Sequence, residues 1–513
     1  MRIHGELLIP LALALALALA SPDETAAAEV RERDACADLR PPALVTLETA
    51  PAWVDAPGLP KYCRVRGRYA ERVRFEMRLP ATWNGRFLMA GCGGFCGELL
   101  PDKSGHSNSI NEPLKRGYAG ISHDAGHQAP SWEASWARDP EALEIWAHKI
   151  LPMMTELGTQ LIEQLYGRPP RYRYFAGCSN GGRLGLMAAQ RYPQLFDGIA
   201  AGAGIFDLSG NAGLWGNWLI TSIERDGVSI VPPRKARFLE KFVVEQCDAR
   251  DGLADQTIDD PTRCSVDFRA ARCAPGAAPA DDCLTAAEAD ALNRLYGGVR
   301  NAANERIYPA LQPGSERYSD IWLYGAADRP AWGILAAAGY RQLLAASLAV
   351  PDVPAGLPTE RMLDWIRRSP VPALTDATNP DLTALRRRGG KLLIYQGLAD
   401  PLIIPEPIMD YYRRAAVHAG GMRRLQKNVR LFMVPGWGHC WERPSAAPDD
   451  FDPLAALENW VERGRTPRSI DASQRGKDGT IVRARPICSY PASARHIAGK
   501  DPARLDAYRC VAE

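Results

Sequence analysis

The sequence has no excess of charge of either sign, and beyond residues 1–20 it has no apolar run long enough to cross a bilayer. Its 62 Lys and Arg residues balance 60 Asp and Glu residues, and the two signs are interspersed. No surface for nucleic acid is therefore indicated, and we expect no membrane anchor in the mature protein. At about 150 residues per domain, the length indicates two or more structural units.

Residues 1–20 have the features of a secretory signal. Arg2 gives a positive start, residues 7–17 form an apolar stretch, and residues 18–20 provide a small-residue cleavage site before Ser21. A transmembrane anchor is the alternative, but the apolar run is too short and ends at an acidic stretch. We therefore predict a secreted protein, periplasmic or extracellular.

Twelve cysteines behind an export signal indicate a disulfide framework in an oxidising compartment. Zinc is the alternative use, but the spacings do not form two CxxC knuckles. Sequence alone leaves the connectivity open, although local spacing suggests five short loops. These are Cys36–Cys63, Cys92–Cys96, Cys247–Cys264, Cys273–Cys283 and Cys488–Cys510.

Short apolar runs alternate with amphipathic segments over residues 73–203 and again over 391–434. The apolar runs predict strands at 73–79, 86–90, 118–122, 172–176, 198–203, 391–396 and 429–434. Helical periodicity is clearest at 141–165 and 183–191. Strands alternating with helices predict an α/β fold with a doubly wound, mostly parallel sheet.

Residues 207–387 break this rhythm, with four cysteines and helical segments that lack matching strands. We interpret them as an inserted lid domain between two parts of one core, residues 21–206 and 388–513. An insertion at this place would cover the carboxyl ends of the strands, where open α/β sheets bind ligands.

Ser179 is the candidate nucleophile. It lies in Gly177-Cys178-Ser179-Asn180-Gly181, between a predicted strand and a predicted helix. This is the context of a nucleophile elbow, a sharp turn that raises the serine hydroxyl above the sheet. A chance glycine and serine loop is the alternative, and the flanking elements argue against it.

Asp400 and His439 complete a candidate triad in the order Ser, Asp, His. Each follows a predicted buried strand, where a triad acid and base stand in such a sheet. A turn aspartate and a structural histidine are the alternatives for each residue alone. Their order and their positions after strands favour the catalytic interpretation.

Cysteines adjoin both the nucleophile and the base. Cys178 precedes Ser179, and Cys440 follows His439. Half-cystine Cα atoms lie about 5.5–6 Å apart, so a Cys178–Cys440 disulfide would hold both side chains at one site. The alternative makes Cys178 a thiol nucleophile with His439 as base, but a secreted cysteine pair is expected to be oxidised.

A glycine-rich loop, residues 91–97, follows another predicted strand. Its glycines let backbone N–H groups approach a substrate carbonyl, and we expect Gly93 and Asn180 to supply the oxyanion hole. A phosphate-binding loop is the alternative, but the Walker lysine is missing.

Three carboxylates crowd one short acidic loop, residues 247–258. Crowded carboxylates repel one another unless a cation lies among them, and hard oxygen ligands favour calcium. A solvated acidic loop is the alternative. The loop is not an EF-hand, because the glutamate at position twelve is missing.

The motifs GCSNGGR, the Asp400 turn and GHC together resemble the Cys-Ser…Asp…His-Cys signature of the tannase and feruloyl esterase family. The resemblance runs from about Cys36 to Cys510 and includes residues 122–127, 189–193 and 196–199. It implies a secreted α/β-hydrolase with a lid, a structural calcium ion and a disulfide joining the two triad-flanking cysteines.

By this resemblance, calcium would be bound by the side chains of Asp248, Asp251 and Asp255 and by the backbone oxygens of Leu253 and Thr257. The family also includes the hydrolase that cleaves the hydroxyethyl monoester of terephthalic acid. The implied activity is serine carboxylic ester hydrolysis on a small-molecule ester of an aromatic acid, of the feruloyl, galloyl or terephthalate-monoester type. An inactive calcium-stabilised module that binds aromatic compounds is the alternative, and the intact triad argues against it.

Overall fold

A computed structural model describes residues 35–103, 108–325, 329–440 and 447–512, so the predicted signal at residues 1–20 lies outside the described residues. A ten-stranded sheet forms the centre of the molecule. The predicted strands form with bounds that agree to within two residues. In chain order the strands are β1 Val45–Leu47, β2 Ala52–Val54, β3 Tyr62–Tyr69, β4 Val73–Pro80, β5 Arg86–Ala90, β6 Ala119–His123, β7 Tyr172–Cys178, β8 Gly198–Gly202, β9 Glu224–Arg225, β10 Val228–Ser229, β11 Val299–Arg300, β12 Arg306–Tyr308, β13 Lys391–Gly397, β14 Val429–Val434, β15 Asp450–Phe451, β16 Ser469–Arg475, β17 Ile481–Cys488, β18 Ala492–His496 and β19 Tyr508–Ala512.

The central sheet has the order β1-β3-β4-β6-β5-β7-β8-β13-β14, and β2 pairs with β3 outside this path. All pairings from β6 to β14 are parallel, whereas β1 to β4 are joined by antiparallel pairings and β4 is antiparallel to β6. The carboxyl ends of the parallel strands therefore meet at one edge of the sheet, as the predicted α/β-hydrolase fold requires.

Both faces of this sheet are buried at β13. Leu392 and Ile394 of β13 belong to one apolar cluster, and the alternating Leu393 and Tyr395 belong to another on the opposite face. Successive side chains of a strand point to opposite faces, so an almost continuous apolar strand indicates a sheet covered on both sides.

Helices cover the two faces. The predicted helix at 141–165 forms as three consecutive helical segments, which begin at Pro140 and end at Tyr166. Asp139 caps its start by accepting from two backbone N–H groups, and Gly167 ends it in the left-handed region. The α-helices are Asn111–Lys115, Pro140–Glu144, Ile150–Tyr166, Asn180–Arg191, Gly216–Ile223, Ala236–Cys247, Ala286–Tyr296, Trp332–Ser347, Thr359–Arg368, Val371–Thr375, Thr383–Arg387, Glu406–His418, Met422–Leu425 and Pro453–Arg463.

The chain between β8 and β13 adds no strand to the central sheet in its described part, since β9 to β12 pair only among themselves. It does not pack as one body. Residues from Trp215 to Tyr324 form most of a second apolar cluster, which Ala399 and Ile404 join from beyond β13, while Tyr340 and Leu385 pack into the main core. The boundaries of the predicted lid domain, residues 207 and 387, stay a prediction. The second apolar cluster lies mainly in the first part of this segment.

Six disulfides link the twelve cysteines in pairs. The five short loops suggested by spacing are confirmed, and so is the long-range bridge Cys178–Cys440. In the part of the chain that the structure describes, no helix combines the length and the apolar character needed to cross a bilayer.

Candidate active site

Ser179 stands on a strained turn at the carboxyl end of β7. Its backbone has φ 61° and ψ −124°, and helix Asn180–Arg191 begins directly after it. A Cβ atom added to Gly177 would lie 2.8 Å from the backbone of Gly181, so the tight crossing of strand and helix needs glycine there. A positive φ at a non-glycine residue is costly, and this geometry is typical of a nucleophile elbow.

The three candidate catalytic side chains are in contact. Nε2 of His439 lies 3.0 Å from Oγ of Ser179, and Nδ1 of His439 lies 2.9 Å from Oδ2 of Asp400. Asp400 and His439 are 0% and 1% exposed, respectively. Residues separated by 260 and 39 positions in sequence thus form one hydrogen-bonded chain.

The Asp400 carboxylate is held in one orientation by its own turn. Oδ1 accepts from the backbone N–H groups of Leu402 and Ile403, both at 2.9 Å, and Oδ2 accepts from Nε2 of Gln396 at 3.0 Å. These donors satisfy the buried carboxylate and leave Oδ2 directed at His439.

The disulfide Cys178–Cys440 spans 262 residues and brings its two Cα atoms to 5.9 Å. Cys178 ends β7 and Cys440 lies beyond β14, so the bridge ties together two strands that are not neighbours in the sheet. Both sulfur atoms are in the disulfide, which leaves no thiol at Cys178 for the alternative nucleophile.

A cavity of about 160 Å³ opens above Ser179 and His439. Tryptophans from the core and from the inserted segment line it together with aliphatic side chains. The tryptophans are Trp132, Trp146, Trp322 and Trp332. The walls are therefore mainly apolar and aromatic, as is usual for a small-molecule site.

Gly93 and Asn180, the residues expected to form the oxyanion hole, both line this cavity beside Ser179. Neither backbone N–H donates a hydrogen bond within the described residues. Asn180 is the first residue of its helix, where backbone N–H groups have no intrahelical acceptor and the helix dipole favours negative charge.

Two buried histidines lie behind the glycine-rich loop. Burial lowers the pKa of His123 to about 3 and that of His127 to about 4. The His127 ring stacks on Trp136 with centroids 3.7 Å apart. Both imidazoles are therefore neutral at ordinary pH and support the loop by packing rather than by charge.

Sequence reasoning did not assign Trp132, Trp146 or Asn108, which also line the cavity. Asn108 donates through its backbone N–H to the carbonyl of Gly91 and so holds the glycine-rich loop. Trp322 and Trp332, from the chain between β8 and β13, line the cavity, whereas Tyr340 of the same stretch is buried and donates to Oγ of Ser209.

The acidic loop folds around Asp248, whose carboxylate accepts from the backbone N–H groups of Asp255, Gln256 and Thr257. Arg483 of β17 pairs with Asp255, and Arg485 pairs with Asp259, the residue directly after the loop, through two bonds of 2.6 and 2.8 Å. The loop is therefore not simply solvated, since two arginines from a distant part of the chain neutralise part of its charge.

The side chains of the acidic loop can be compared with what a calcium site requires. Its donors are oxygens that suit a hard cation, and Oγ1 of the buried Thr257 has no hydrogen-bond partner in the described residues. Burial, and next Asp259, raise the pKa of Asp251 to about 6. Within residues 35–103, 108–325, 329–440 and 447–512, however, no group of three or more His, Cys, Asp or Glu side chains converges as a metal site would.

The contacts among Ser179, His439 and Asp400 have the geometry expected of a catalytic triad, and the comparisons with known proteins define the family. The sequence profile of "Tannase and feruloyl esterase" matches residues 59–511. The chain belongs to the tannase and feruloyl esterase family. As a member of this family it is a carboxylic ester hydrolase.

Individual relatives cover most of the chain. An uncharacterised esterase of Xanthomonas campestris is 32% identical, over 87% of this chain and 84% of its own length. The mono(2-hydroxyethyl) terephthalate hydrolase of Piscinibacter sakaiensis is 30% identical, over 91% of this chain and 87% of its own length. The crystal structure of feruloyl esterase B from Aspergillus oryzae superimposes with a TM-score of 0.80 at 23% identity, covering 93% of this chain and all of that one, which shows the fold.

Proposed function

We propose that this protein is a secreted serine esterase that hydrolyses small esters of aromatic carboxylic acids through an acyl-enzyme. The observation that carries the proposal is the chain of contacts from Ser179 through His439 to Asp400, at the floor of a cavity lined by four tryptophans. Relatives named feruloyl esterase and terephthalate monoester hydrolase support the class of substrate.

The contacts assign a role to each side chain. The neutral imidazole of His439 carries its proton on Nδ1, donates it to Oδ2 of Asp400 in a hydrogen bond and accepts the Ser179 proton at Nε2. Oγ of Ser179 then bonds to the ester carbonyl carbon. When the carbon–oxygen bond to the alcohol breaks, Nε2 returns its proton to the leaving alkoxide, and the acyl group remains on Ser179.

Water completes the reaction by the same path in reverse. His439 takes a proton from water, the hydroxide oxygen bonds to the acyl carbon, and the bond to Oγ of Ser179 breaks as the serine regains its proton. In both halves the backbone N–H groups of Gly93 and Asn180 would stabilise the negative charge on the former carbonyl oxygen.

The size of the cavity favours one aromatic ring next to the scissile bond. An apolar cavity of about 150 Å³ is enough to hold a benzene molecule, and the cavity here measures about 160 Å³. Feruloyl, galloyl and terephthalate-monoester groups all carry a single aromatic ring, which is attached directly to the carbonyl in the last two and through a CH=CH unit in the first.

We further propose that the acidic loop binds calcium as a structural ion, with the side chains of Asp248, Asp251 and Asp255 and the backbone oxygens of Leu253 and Thr257 as ligands. A bound ion would neutralise the crowded carboxylates, which must move closer together to share it. The loop adjoins the turn that leads to His439. Thr257 of the loop packs closely against Gly436 of that turn, where an added Cβ atom would lie 3.3 Å from the Thr257 methyl carbon.

Export is part of the proposal. Six disulfides are typical of proteins that fold in an oxidising compartment, and the signal predicted at residues 1–20 would direct the chain there. Amino-terminal sequencing of protein recovered from the periplasm or the medium tests this, with a mature start near Ser21 as the expected result.

A fluorophosphonate probe combined with a hydrolysis panel tests the catalytic proposal. We expect the probe to label Ser179 and the enzyme to favour methyl ferulate, methyl gallate or a terephthalate monoester over aliphatic esters. Ser179→Ala should fold and be inactive, whereas the matched control Ser469→Ala, in β16, should retain activity. An active Ser179→Ala variant would rule out the serine mechanism, and binding of the aromatic acids without hydrolysis would favour the inactive module.

A further inference from the structure

The two oxyanion donors lie on separate segments. Gly93 lies in the glycine-rich loop, within the short ring closed by the disulfide Cys92–Cys96, and Asn180 begins the nucleophile helix. An oxyanion hole works only if both N–H groups are held at the correct separation before the charge develops. Something must therefore fix the loop against the helix.

The side chain of Asn180 spans this gap. Its Nδ2 donates to the carbonyl oxygen of Cys92 at 3.3 Å and contacts Sγ of Cys96 at 3.2 Å. Its Oδ1 accepts from Nε of Arg183 at 2.7 Å. The carboxamide thus uses its donor toward the loop and its acceptor toward the helix, and neither a carboxylate nor an alkyl group could make both contacts.

Arg183 is fully buried and is fixed on all sides. Its Nη1 donates to the carbonyl oxygens of Ala147 and Thr375 at 2.8 and 3.2 Å, and its Nη2 donates to that of Trp146 at 3.1 Å. The guanidinium carbon also lies 4.4 Å from the centroid of the Trp146 ring. Arg183 is 0% exposed.

Such a group is costly to bury. Burial lowers the pKa of Arg183 to about 9, although the nearby Asp376 opposes the shift, so the side chain stays cationic at neutral pH. Arg183 makes four hydrogen bonds in all, and any rotation of the buried guanidinium would leave several donors unpaired, so the side chain is rigid. It therefore provides a fixed point from which the carboxamide of Asn180 is oriented.

We propose that the Asn180 carboxamide, oriented by Arg183, is the positioning group that sets the distance between the two oxyanion donors. This inference rests on the proposed serine esterase function. The backbone N–H of Asn180 is the expected donor to the substrate, and the side chain of the same residue holds the other donor in register with it. Arg183 acts only through Asn180.

Asn180→Ala tests the proposal, because it keeps the backbone N–H and removes the side-chain contacts. We expect kcat to fall roughly ten- to a hundredfold with KM within about threefold, since a misplaced donor weakens only transition-state binding. The affinity for an aryl trifluoromethyl ketone, which forms an oxyanion on Ser179, should fall in parallel with kcat, while the affinity for the product acid stays unchanged. Gln190→Ala, which removes an amide from the same helix away from the cavity, is the matched control and should keep its kcat.

A double-mutant cycle tests the role of Arg183. Arg183→Lys keeps the charge but loses the planar donor fork, so we expect a smaller loss of kcat in the wild-type background. In the Asn180→Ala background the same change should have no further effect on kcat. If Arg183→Lys does not fold, the kcat and inhibitor measurements on Asn180→Ala still decide the role of the carboxamide.

Two results would overturn the inference: a wild-type kcat in Asn180→Ala, or a loss of kcat in Arg183→Lys that is fully additive with that of Asn180→Ala. Failure of the proposed function has a different signature. A wild-type protein that hydrolyses none of the aromatic esters and is not labelled at Ser179 removes that function before any variant is compared.

Discussion

The indole ring of Trp322 stands edge-on to the imidazole of His439, with ring centroids 4.9 Å apart and planes inclined at 83°. The ring centroid of Trp322 also lies 6.3 Å from that of Trp332. The Trp332 centroid in turn lies 5.8 Å from that of the half-exposed Trp132. A row of three tryptophans therefore leads from the surface to His439. Two of them come from the inserted segment, which thereby forms part of the cavity itself.

Trp322→Ala should reduce selectivity for aromatic esters. We expect kcat/KM for methyl ferulate to fall roughly two- to tenfold more than kcat/KM for methyl acetate, because aromatic pairs contribute about 0.5–1.5 kcal/mol beyond area burial. The aliphatic ester serves as the internal control for damage to His439. Equal losses on both esters would mean that Trp322 supports the base and does not select the substrate.

Cys178→Ala/Cys440→Ala should lower kcat more than its loss of stability explains. The bridge constrains the two residues that exchange a proton, and a displacement of about 1 Å at a reacting group can cost on the order of a hundredfold. The matched control is Cys488→Ala/Cys510→Ala, which removes the disulfide between β17 and β19. Kinetics below the melting temperature of each variant provide the measurement. Full activity in the first variant would show that the triad needs no covalent support.

Calcium should raise the melting temperature of the chelated protein, with little change in the turnover of molecules that remain folded. An ion that binds only the folded state stabilises it by mass action. Asp251→Asn should weaken the response, whereas Asp478→Asn, on an exposed turn, should leave it intact. Elemental analysis that finds no calcium, together with no melting shift, would leave the arginine pairs as the only neutralising partners of the acidic loop.

Asp376→Asn should change how stability depends on pH. Burial, and next Asp207, raise the pKa of Asp376 to about 7 from the usual 3.8. A raised carboxyl pKa means that the folded state binds the proton more tightly than the unfolded state does. Protonation of Asp376 therefore contributes its full stabilisation below about pH 4, and this stabilisation is lost as pH rises through about 7. Each tenfold gain in proton affinity on folding corresponds to about 1.4 kcal/mol of stability at low pH.

Urea unfolding from pH 4.5 to 8.5 measures this effect. We expect the stability of the wild type relative to Asp376→Asn to decline as pH rises across this range, because the variant cannot ionise. Asp381→Asn is the control, since hydrogen bonds from Thr383 lower the pKa of that exposed carboxyl. Parallel curves for the wild type and Asp376→Asn would show that Asp207, or the pair acting together, carries the proton.

The sequence by itself determined the features that depend on neighbouring residues. Apolar runs such as residues 391–396 predict buried strands because successive side chains face the two layers of the core. The glycines around Ser179 predict the elbow because the turn excludes Cβ atoms. Asp400 and His439 could be assigned because the carboxyl ends of parallel strands share one edge, and the short disulfides because their loops are local.

Only the tertiary structure decided the contacts between segments that are distant in sequence. Nothing in the acidic loop predicts Arg483 as the partner of Asp255, and nothing near Asn180 predicts that its side chain reaches Cys92. The row of tryptophans at the cavity likewise combines Trp132 of the core with Trp322 and Trp332 of the inserted segment. Local periodicity records which face of an element is buried, whereas the partner on that face depends on how the layers pack, so these contacts required the folded chain.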